Sequence, residues 1–421
     1  MRFSLVALAS TLAVANAIPF DIVNLLYKRE DSSDSALSWL SSLLNTTNST
    51  NSSIASNSTN TTSSEEESDL TTIKIFSFSS NFTEIYGSVN ATAEASNATY
   101  SNSSTISIEA TVDDILSILN IAGNSSSVEF VASALGNNSL SALLNATDLS
   151  SYVSLDYEEL ATSFNDSTLP LLYQALEDDS EDYDAFVILL EPVYLESAAF
   201  FVDITANISN AIVFAPELTA ENLLSGGLLD LYNAIVVAAD EDNVFDTEVV
   251  SSQYISPAFY SQRVGDRFVS SAVTLGKVTR GEAQWFVTDA SFPDFGGNFT
   301  ITEDSTVPEV LVVETVGSSS ADLLAALQTT LIDGIVLSAG SIDDYSAAFI
   351  EQASILAESI PVVFASSSEL DVLTPEDVPV EAAFAAGLLS PVKAKVLLQA
   401  ALASDLDNEA ISELFAVAYG G

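Results

Sequence analysis

Continuous apolar runs alternate with amphipathic stretches along the chain from about residue 70 onward. Apolar runs of this length are typical of strands in a parallel sheet, which is covered on both faces. They predict strands over residues 73–78, 185–190, 211–215, 310–313, 334–337 and 361–365, with a short strand beginning at Val249. The amphipathic stretches predict helices over residues 194–204, 222–239, 321–330, 345–358, 391–403 and 408–417. This alternation predicts an α/β fold built on a doubly wound, mostly parallel sheet.

Two segments interrupt the alternation and indicate where the chain divides. Residues 269–278 and 283–287 predict a β-hairpin that turns at the Arg-Gly pair between them. Residues 290–307 contain Pro293, Gly296 and Gly297 and predict a linker. The expected domains are an N-terminal domain over residues 70–289 and a smaller α/β C-terminal domain over residues 308–421.

The N-terminus has the features of an export signal. Arg2 precedes an apolar run, and Ala15-Asn16-Ala17 supplies the small-x-small pattern that signal peptidase cleaves. Lys28-Arg29 is a dibasic pair of the type that secretory convertases cut, which predicts a mature start at Glu30. The expected segments are a signal peptide at 1–17, a propeptide at 18–29 and a Ser/Thr/Asn-rich glycosylated spacer at 30–69. We therefore expect a secreted protein, located in the extracellular space or the cell wall.

The Asn-x-Ser/Thr motif for N-glycosylation recurs along the chain behind this signal. It occurs at Asn45, Asn48, Asn51, Asn57, Asn60, Asn81, Asn90, Asn97, Asn102, Asn124, Asn137, Asn145, Asn165, Asn207 and Asn298. A single motif is weak evidence, but this density behind an export signal predicts a glycoprotein.

Composition excludes several kinds of chemistry and partner. The chain has 10 Lys and Arg against 59 Asp and Glu, a net charge of −49, and neither His nor Cys. Contacts to nucleic-acid phosphates and to anionic lipid need clustered basic residues, so we expect no nucleic-acid and no membrane partner. Without His or Cys the chain has no Ser-His-Asp triad and no imidazole or thiolate zinc site. The sequence predicts no metal and no cofactor.

Several stretches occur in the order and spacing of the bacterial-type (type I/II) L-asparaginases. They are residues 184–188, 196–201, 231–240, 333–336 and 389–399. The chain resembles this family over about residues 70–421, as a degenerate, secreted member of fungal type. The resemblance implies the asparaginase/glutaminase fold and assembly as a homo-oligomer, a dimer or tetramer. It also implies an insertion at residues 88–140, in which we predict a helix near 111–119.

The two threonine motifs of that family are not intact. The family's Thr-Gly-Gly-Thr-Ile loop, whose second Thr is the nucleophile, matches residues 78–82, which places Asn81 at the nucleophile position. The family's His-Gly-Thr-Asp-Thr motif matches residues 190–194, which places Pro192 and Val193 at its Thr-Asp pair. Pro and Val side chains carry no group that transfers a proton.

The remaining family positions have changed as well. Arg263 matches the catalytic Lys, and arginine does not deprotonate in proteins, so it cannot act as a base. Ala161 and Thr162 fall at the substrate-binding Ser-Gln pair. No catalytic residue is intact in this alignment, which predicts a non-catalytic protein.

Two alternatives remain open at this stage. A shifted alignment places Thr83 at the nucleophile position, with Glu84 or Glu191 as the base, and predicts an amidohydrolase that releases ammonia from asparagine or a related amide. A third hypothesis is that the former cleft binds a wall polysaccharide or a small molecule. The aromatic residues considered for it are Tyr194, Tyr254, Phe259 and Tyr260, for which core packing is the commoner role.

Overall fold

The computed structural model describes residues 70–78, 149, 152–217, 227–265, 267–279, 281–288, 292, 293, 295, 297–315, 319–368 and 372–418. The predictions that fall on residues 1–69, on Asn81, Glu84 and Thr83, and on the insertion at 88–140 lie outside the described residues. All described residues belong to the same structural unit of the chain, Leu70–Thr111 with Glu129–Gly421.

Strands and helices alternate along this unit. The strands are β1 (Thr71–Ser77), β2 (Val153–Glu159), β3 (Ala185–Leu190), β4 (Ala211–Pro216), β5 (Thr247–Ser251), β6 (Tyr254–Pro257), β7 (Ser261–Val264), β8 (Arg267–Ser270), β9 (Gly276–Thr279), β10 (Glu282–Trp285), β11 (Val310–Glu314), β12 (Gly334–Ala339), β13 (Val362–Ser366) and β14 (Phe384–Ala385). The helices are α1 (Leu169–Asp179), α2 (Pro192–Thr205), α3 (Gly227–Ala238), α4 (Ser319–Leu327), α5 (Ala347–Ala357), α6 (Pro391–Ala403) and α7 (Asn408–Val417).

The N-terminal part is built on an eight-stranded sheet with the order β10-β9-β6-β5-β4-β3-β1-β2. The five strands β2, β1, β3, β4 and β5 pair in parallel, and β6, β9 and β10 continue the sheet in antiparallel fashion. β1 lies between β2 and β3, so the strand order reverses at the β1–β3 pair. The prediction of an α/β fold with a doubly wound, mostly parallel sheet is confirmed.

Helices cover both faces of the central strands, which explains why β3 is apolar at every position. Phe186, Ile188 and Leu190 of β3 pack in one core with α2 and α6. The alternate positions, Ala185, Val187 and Leu189, pack in a second core with α3. Successive side chains of a strand point to opposite faces, so a strand that is buried on both faces needs an uninterrupted apolar run.

The C-terminal part is a smaller parallel sheet with the order β11-β12-β13-β14. α6 contacts β11, β12 and β13 on one side and α2 of the N-terminal part on the other. Lys395 of α6 forms an ion pair with Asp166, with 2.6 Å between Nζ and Oδ2, which adds a polar contact at the same junction. The two sheets therefore share one continuous hydrophobic core.

The predicted hairpin is partly wrong. β9 and β10 do pair around Gly281, whose φ of 81° is a conformation that glycine adopts without steric cost. Residues 267–270, however, form a separate strand, β8, that pairs with β7 in a two-stranded sheet. β2 and α1 have no counterpart among the predicted elements.

Candidate functional site

The candidate site is the edge of the main sheet at the carboxyl ends of β1 and β3. In doubly wound sheets, ligands bind where the strand order reverses, because the loops that follow the two strands diverge there. The structure places Pro192 and Val193 directly after β3, and Ala161 and Thr162 shortly after β2. These sequence-predicted positions therefore lie at the same edge of the sheet, as the resemblance implies.

Aromatic side chains pack at this edge. Phe78, which follows β1, and Phe164, which follows β2, are both buried, and their ring centroids lie 4.9 Å apart in an edge-to-face contact. Tyr194 in the first turn of α2 packs against Phe164 at 5.3 Å. Edge-to-face and tilted ring contacts are characteristic of hydrophobic cores. The surface that these described residues form at the switch point is thus largely apolar, and Tyr194 has a packing role there.

The start of α2 offers no catalytic side chain at the two matched positions. Pro192 is the first residue of the helix, where a missing backbone N–H is tolerated. The Val193 side chain is 53% exposed, and the preceding Glu191 is exposed and makes no capping hydrogen bond with its side chain. A hydroxyl or carboxylate is absent from both positions, so neither can orient a water molecule or transfer a proton.

Arg263 lies beside the same helix. Its backbone N–H, on β7, donates a hydrogen bond to Oε2 of Glu196 on α2, at 2.9 Å. Its Nε is buried and makes no hydrogen bond with the residues that the structure describes. The structure therefore brings Arg263 and the start of α2 together. Ala161 is half-buried and packs on the core, whereas Thr162 is exposed.

A buried polar network that the sequence did not predict joins α2 to α6. Ser390, at the N-cap of α6, donates from Oγ to Oε1 of Glu196 at 2.6 Å and accepts from the backbone N–H of Lys393. The Lys393 ammonium donates to the carbonyl oxygens of Ala258 and Phe259, at 2.9 and 2.5 Å. Burial lowers the pKa of Lys393 to about 8, although the carboxylates of Glu196 and Asp203 oppose the shift.

This network is structural in character. Lys393 is 3% exposed, and its ammonium also lies 5.5 Å from the ring centroid of Phe200. Glu196 accepts bonds from both parts of the chain, which satisfies a carboxylate that would be costly to bury alone. A small cavity of about 50 Å³ next to it is lined by Gln262, Ser366 and Ser390, among others, and has room for a few water molecules.

The predicted glycosylation sites divide into two groups. Asn165, Asn207 and Asn298 are described and exposed, and the others lie outside the described residues. The Asn165 side chain accepts from the backbone N–H of Ser167 at 2.9 Å and so caps the short helical turn that follows. Their modification stays a prediction.

Two further observations concern metals and membranes. Within the described ranges, no group of three or more acidic side chains is arranged to hold a metal ion. In that same part of the chain, no helix combines the length and the apolar character needed to cross a bilayer.

Comparison with known proteins identifies the relatives. No protein-family profile matches the chain. It is 25% identical over 294 residues to L-asparaginase 2-3 of Saccharomyces cerevisiae, which covers 65% of this chain and 80% of the yeast protein. It is 25% identical over 318 residues to a probable periplasmic L-asparaginase of Haemophilus influenzae, covering 70% and 89% respectively. Escherichia coli L-asparaginase 2 is 26% identical over 264 residues, 60% of this chain and 75% of that protein.

The chain is related to the L-asparaginase family. The sheet with its β1–β3 switch point and the second parallel sheet are consistent with the two-domain asparaginase fold. The names of these relatives state an amidohydrolase activity for them. The residues that the sequence resemblance matches to the family's site and that the structure describes are Ala161 and Thr162 after β2, Pro192 and Val193 at the start of α2, and Arg263 on β7. Their equivalence to the family's site stays a prediction.

Proposed function

We propose that this chain is a secreted glycoprotein that retains the asparaginase fold without hydrolysing amides. The proposal rests on the start of α2, where Pro192 is the first helical residue and Val193 is exposed. The resemblance matches these two residues to the family's Thr-Asp pair. An amidohydrolase of this type needs an activated hydroxyl, a base and groups that hold the substrate amine. Pro192, Val193 and Arg263 provide neither the base nor a group that holds the substrate amine.

The packing around the switch point supports the same proposal. Phe78 and Phe164 bury apolar surface next to the end of β1, where the family has a glycine-containing loop close to its substrate. Neither ring carries a hydrogen-bonding group, so these two residues supply no polar contact to asparagine or glutamine.

The competing function is a retained amidohydrolase with Thr83 as the nucleophile. It would need Glu84 or Glu191 as its base, and Glu191 is exposed at the start of α2. A general base has to be held within hydrogen-bond reach of the group that it deprotonates. The exposed Glu191 side chain makes no capping hydrogen bond that would fix its position, which argues against it as the base and leaves Glu84 as the other candidate.

Ammonia release tests the proposal directly. The full chain, purified from a eukaryotic secretory host, is incubated with L-asparagine and L-glutamine, beside Thr83→Ala and the control Thr330→Ala, an exposed threonine that follows α4. We expect no release above a blank from any of the three proteins. Release by the natural chain that Thr83→Ala abolishes and Thr330→Ala retains would establish the amidohydrolase instead.

The same preparation tests secretion and glycosylation. We expect the secreted chain to begin at Glu30 and to lose mass when N-glycans are removed enzymatically. A secreted protein that begins elsewhere would correct the propeptide, and an unchanged mass would show that the motifs, including the exposed Asn165, Asn207 and Asn298, are unmodified. We also propose that the protein assembles as a homo-oligomer, which light scattering of this preparation measures.

A further inference from the structure

Two carboxyl groups are buried on the face of the main sheet that α3 covers. Asp230, in the first turn of α3, is 5% exposed, and Glu248, in β5, has no exposed surface. Glu248 shares a face of β5 with Val250, which packs in the core beneath α3. Neither carboxyl group forms an ion pair with any described lysine or arginine. A buried carboxylate without a cation is unfavourable, so both groups should hold a proton more tightly than in water.

The surroundings of Glu248 reinforce this expectation. Its carboxyl oxygens make no hydrogen bond of ordinary geometry with the described residues. Burial raises the pKa of Glu248 well above its ordinary value; Asn243 opposes the shift, and Asp246 and Asp203 add to it. Two other carboxylates thus act electrostatically on Glu248, which has no exposed surface of its own.

Asp230 links α3 to a strained turn at the end of β5. Its Oδ1 accepts a hydrogen bond from the backbone N–H of Ser252 at 2.8 Å. Ser252 and Gln253 join β5 to β6 with φ angles of 52° and 76°, which are unfavourable for residues other than glycine. Burial raises the pKa of Asp230 to about 7, although the bond from Ser252 opposes the shift. Asp230 thus contacts the turn that follows the strand of Glu248.

The other ionisable side chains on strands that α3 contacts do not neutralise these groups. α3 packs on β3, β4, β5, β9 and β10. Lys277 on β9 holds its ammonium 5.3 Å from the ring centroid of Tyr254, and Glu282 on β10 is exposed. The charged side chains that act on Glu248, Asp246 and Asp203, are both negative.

We propose that the α3 side of the main sheet is a pH-sensitive element, in which Asp230 and Glu248 pack as neutral carboxylic acids and weaken the packing of α3 when they ionise. An acid with a higher pKa in the folded than in the unfolded state stabilises the fold fully at acid pH. That stability is lost as pH rises from about 4, the unfolded pKa, through the folded pKa. The window ends near pH 7 for Asp230 and extends further for Glu248. This inference is independent of the proposed function.

Equilibrium unfolding of the full chain in denaturant between about pH 4 and pH 9 tests the proposal. One such acid raises the unfolding constant by up to about tenfold per pH unit within its window. Asp230→Asn should remove the share of Asp230 in this rise between about pH 4 and pH 7. Glu248→Gln should lower the slope from about pH 4 upward and remove the rise that continues above about pH 7. The control Glu282→Gln, an exposed carboxylate on β10, should keep the natural pH dependence. Variants that all keep the natural pH dependence would overturn the proposal.

Infrared spectroscopy of the natural chain gives a second readout that needs no variant to fold. A protonated carboxyl group has a carbonyl stretch separate from that of a carboxylate, so a protonated carboxyl band should persist at neutral pH. Glu248→Gln, where it folds, should lose most of this band. A natural chain without any protonated carboxyl signal at neutral pH would overturn the proposal.

Discussion

At the residue scale, the structure shows buried polar contacts at the junction of the two domains that the sequence does not predict. Glu196 and Ser390 are separated by 194 positions in the chain and are joined by a 2.6 Å hydrogen bond. Both lie in stretches that resemble the asparaginases, but a resemblance of stretches does not indicate which side chains meet. The contact depends on how α2 packs against α6, which no local pattern encodes.

Lys393 gives a prediction at this scale. Its folded pKa of about 8 lies below the unfolded value, so protonation opposes folding, and stability should rise as pH increases from about 8 to about 10. Lys393→Met keeps the length of the side chain and removes the titrating group. We expect thermal or denaturant unfolding of this variant to lack the rise.

The matched control is Lys395→Met, two residues along α6, where the ammonium pairs with Asp166 at the surface of the junction. This control should keep the alkaline rise of the natural chain. A Lys393→Met protein that also keeps it would show that another group causes the rise.

At the element scale, the predictions succeeded where both faces of a strand are buried. β3 and β12 are apolar at nearly every position and are buried throughout, so a continuous run identified them. β2 was missed because it is an edge strand with mostly half-buried or exposed positions. Its Asp156 and Glu158 lie beside Lys74 of β1, at 3.9 and 2.9 Å, a tertiary contact that local hydropathy does not show.

The site could be located from the sequence only in part. The matched positions after β2 and β3 do lie at one edge of the sheet, because parallel strands present their carboxyl ends together. The packing of Phe78, Phe164 and Tyr194 at that edge was not predicted, because it joins three separate loops. The hydrophobic pattern predicts that residues 269–278 pair with residues 283–287, whereas Val269 pairs with Gln262 in the β7–β8 sheet.

The start of α2 offers a prediction for a helix. Glu191 has extended backbone geometry at the N-cap, but its side chain caps nothing. Aspartate is shorter and is among the preferred N-cap residues, so Glu191→Asp should stabilise the fold by about 0.5–1 kcal/mol. Chemical denaturation measures the change in the free energy of unfolding.

The comparison variant for this helix is Asp407→Ala at the N-cap of α7. Asp407 accepts a hydrogen bond from the backbone N–H of Ala410 at 3.0 Å, so its loss should destabilise the fold by about 1 kcal/mol. If Asp407→Ala has this cost and Glu191→Asp brings no gain, the first turn of α2 cannot accept a side-chain cap.

At the scale of the whole molecule, the most prominent property of this chain is its net negative charge. A net charge of −49 spread over a folded chain produces self-repulsion that favours expanded states. Screening reduces it, because the Debye length falls to about 3 Å in about 1 M salt. We expect the melting temperature at neutral pH to rise when sodium chloride is added, and to rise less near the sequence pI of about 4.1. A melting temperature that falls with salt at neutral pH would show that favourable ion pairs, such as those of Lys74, outweigh the repulsion.

The polar junction between the two domains has a consequence for how such a chain can change over time. The groups that fasten α2 to α6, Glu196 with Ser390 and Lys393 with the backbone of residues 258–259, are different residues from those that the asparaginase resemblance assigns to chemistry. Arg263 contributes only its backbone N–H to this junction, so side-chain substitutions at Pro192, Val193 and Arg263 leave the contacts between α2 and α6 in place. The architecture therefore does not depend on which side chains stand at the end of β3.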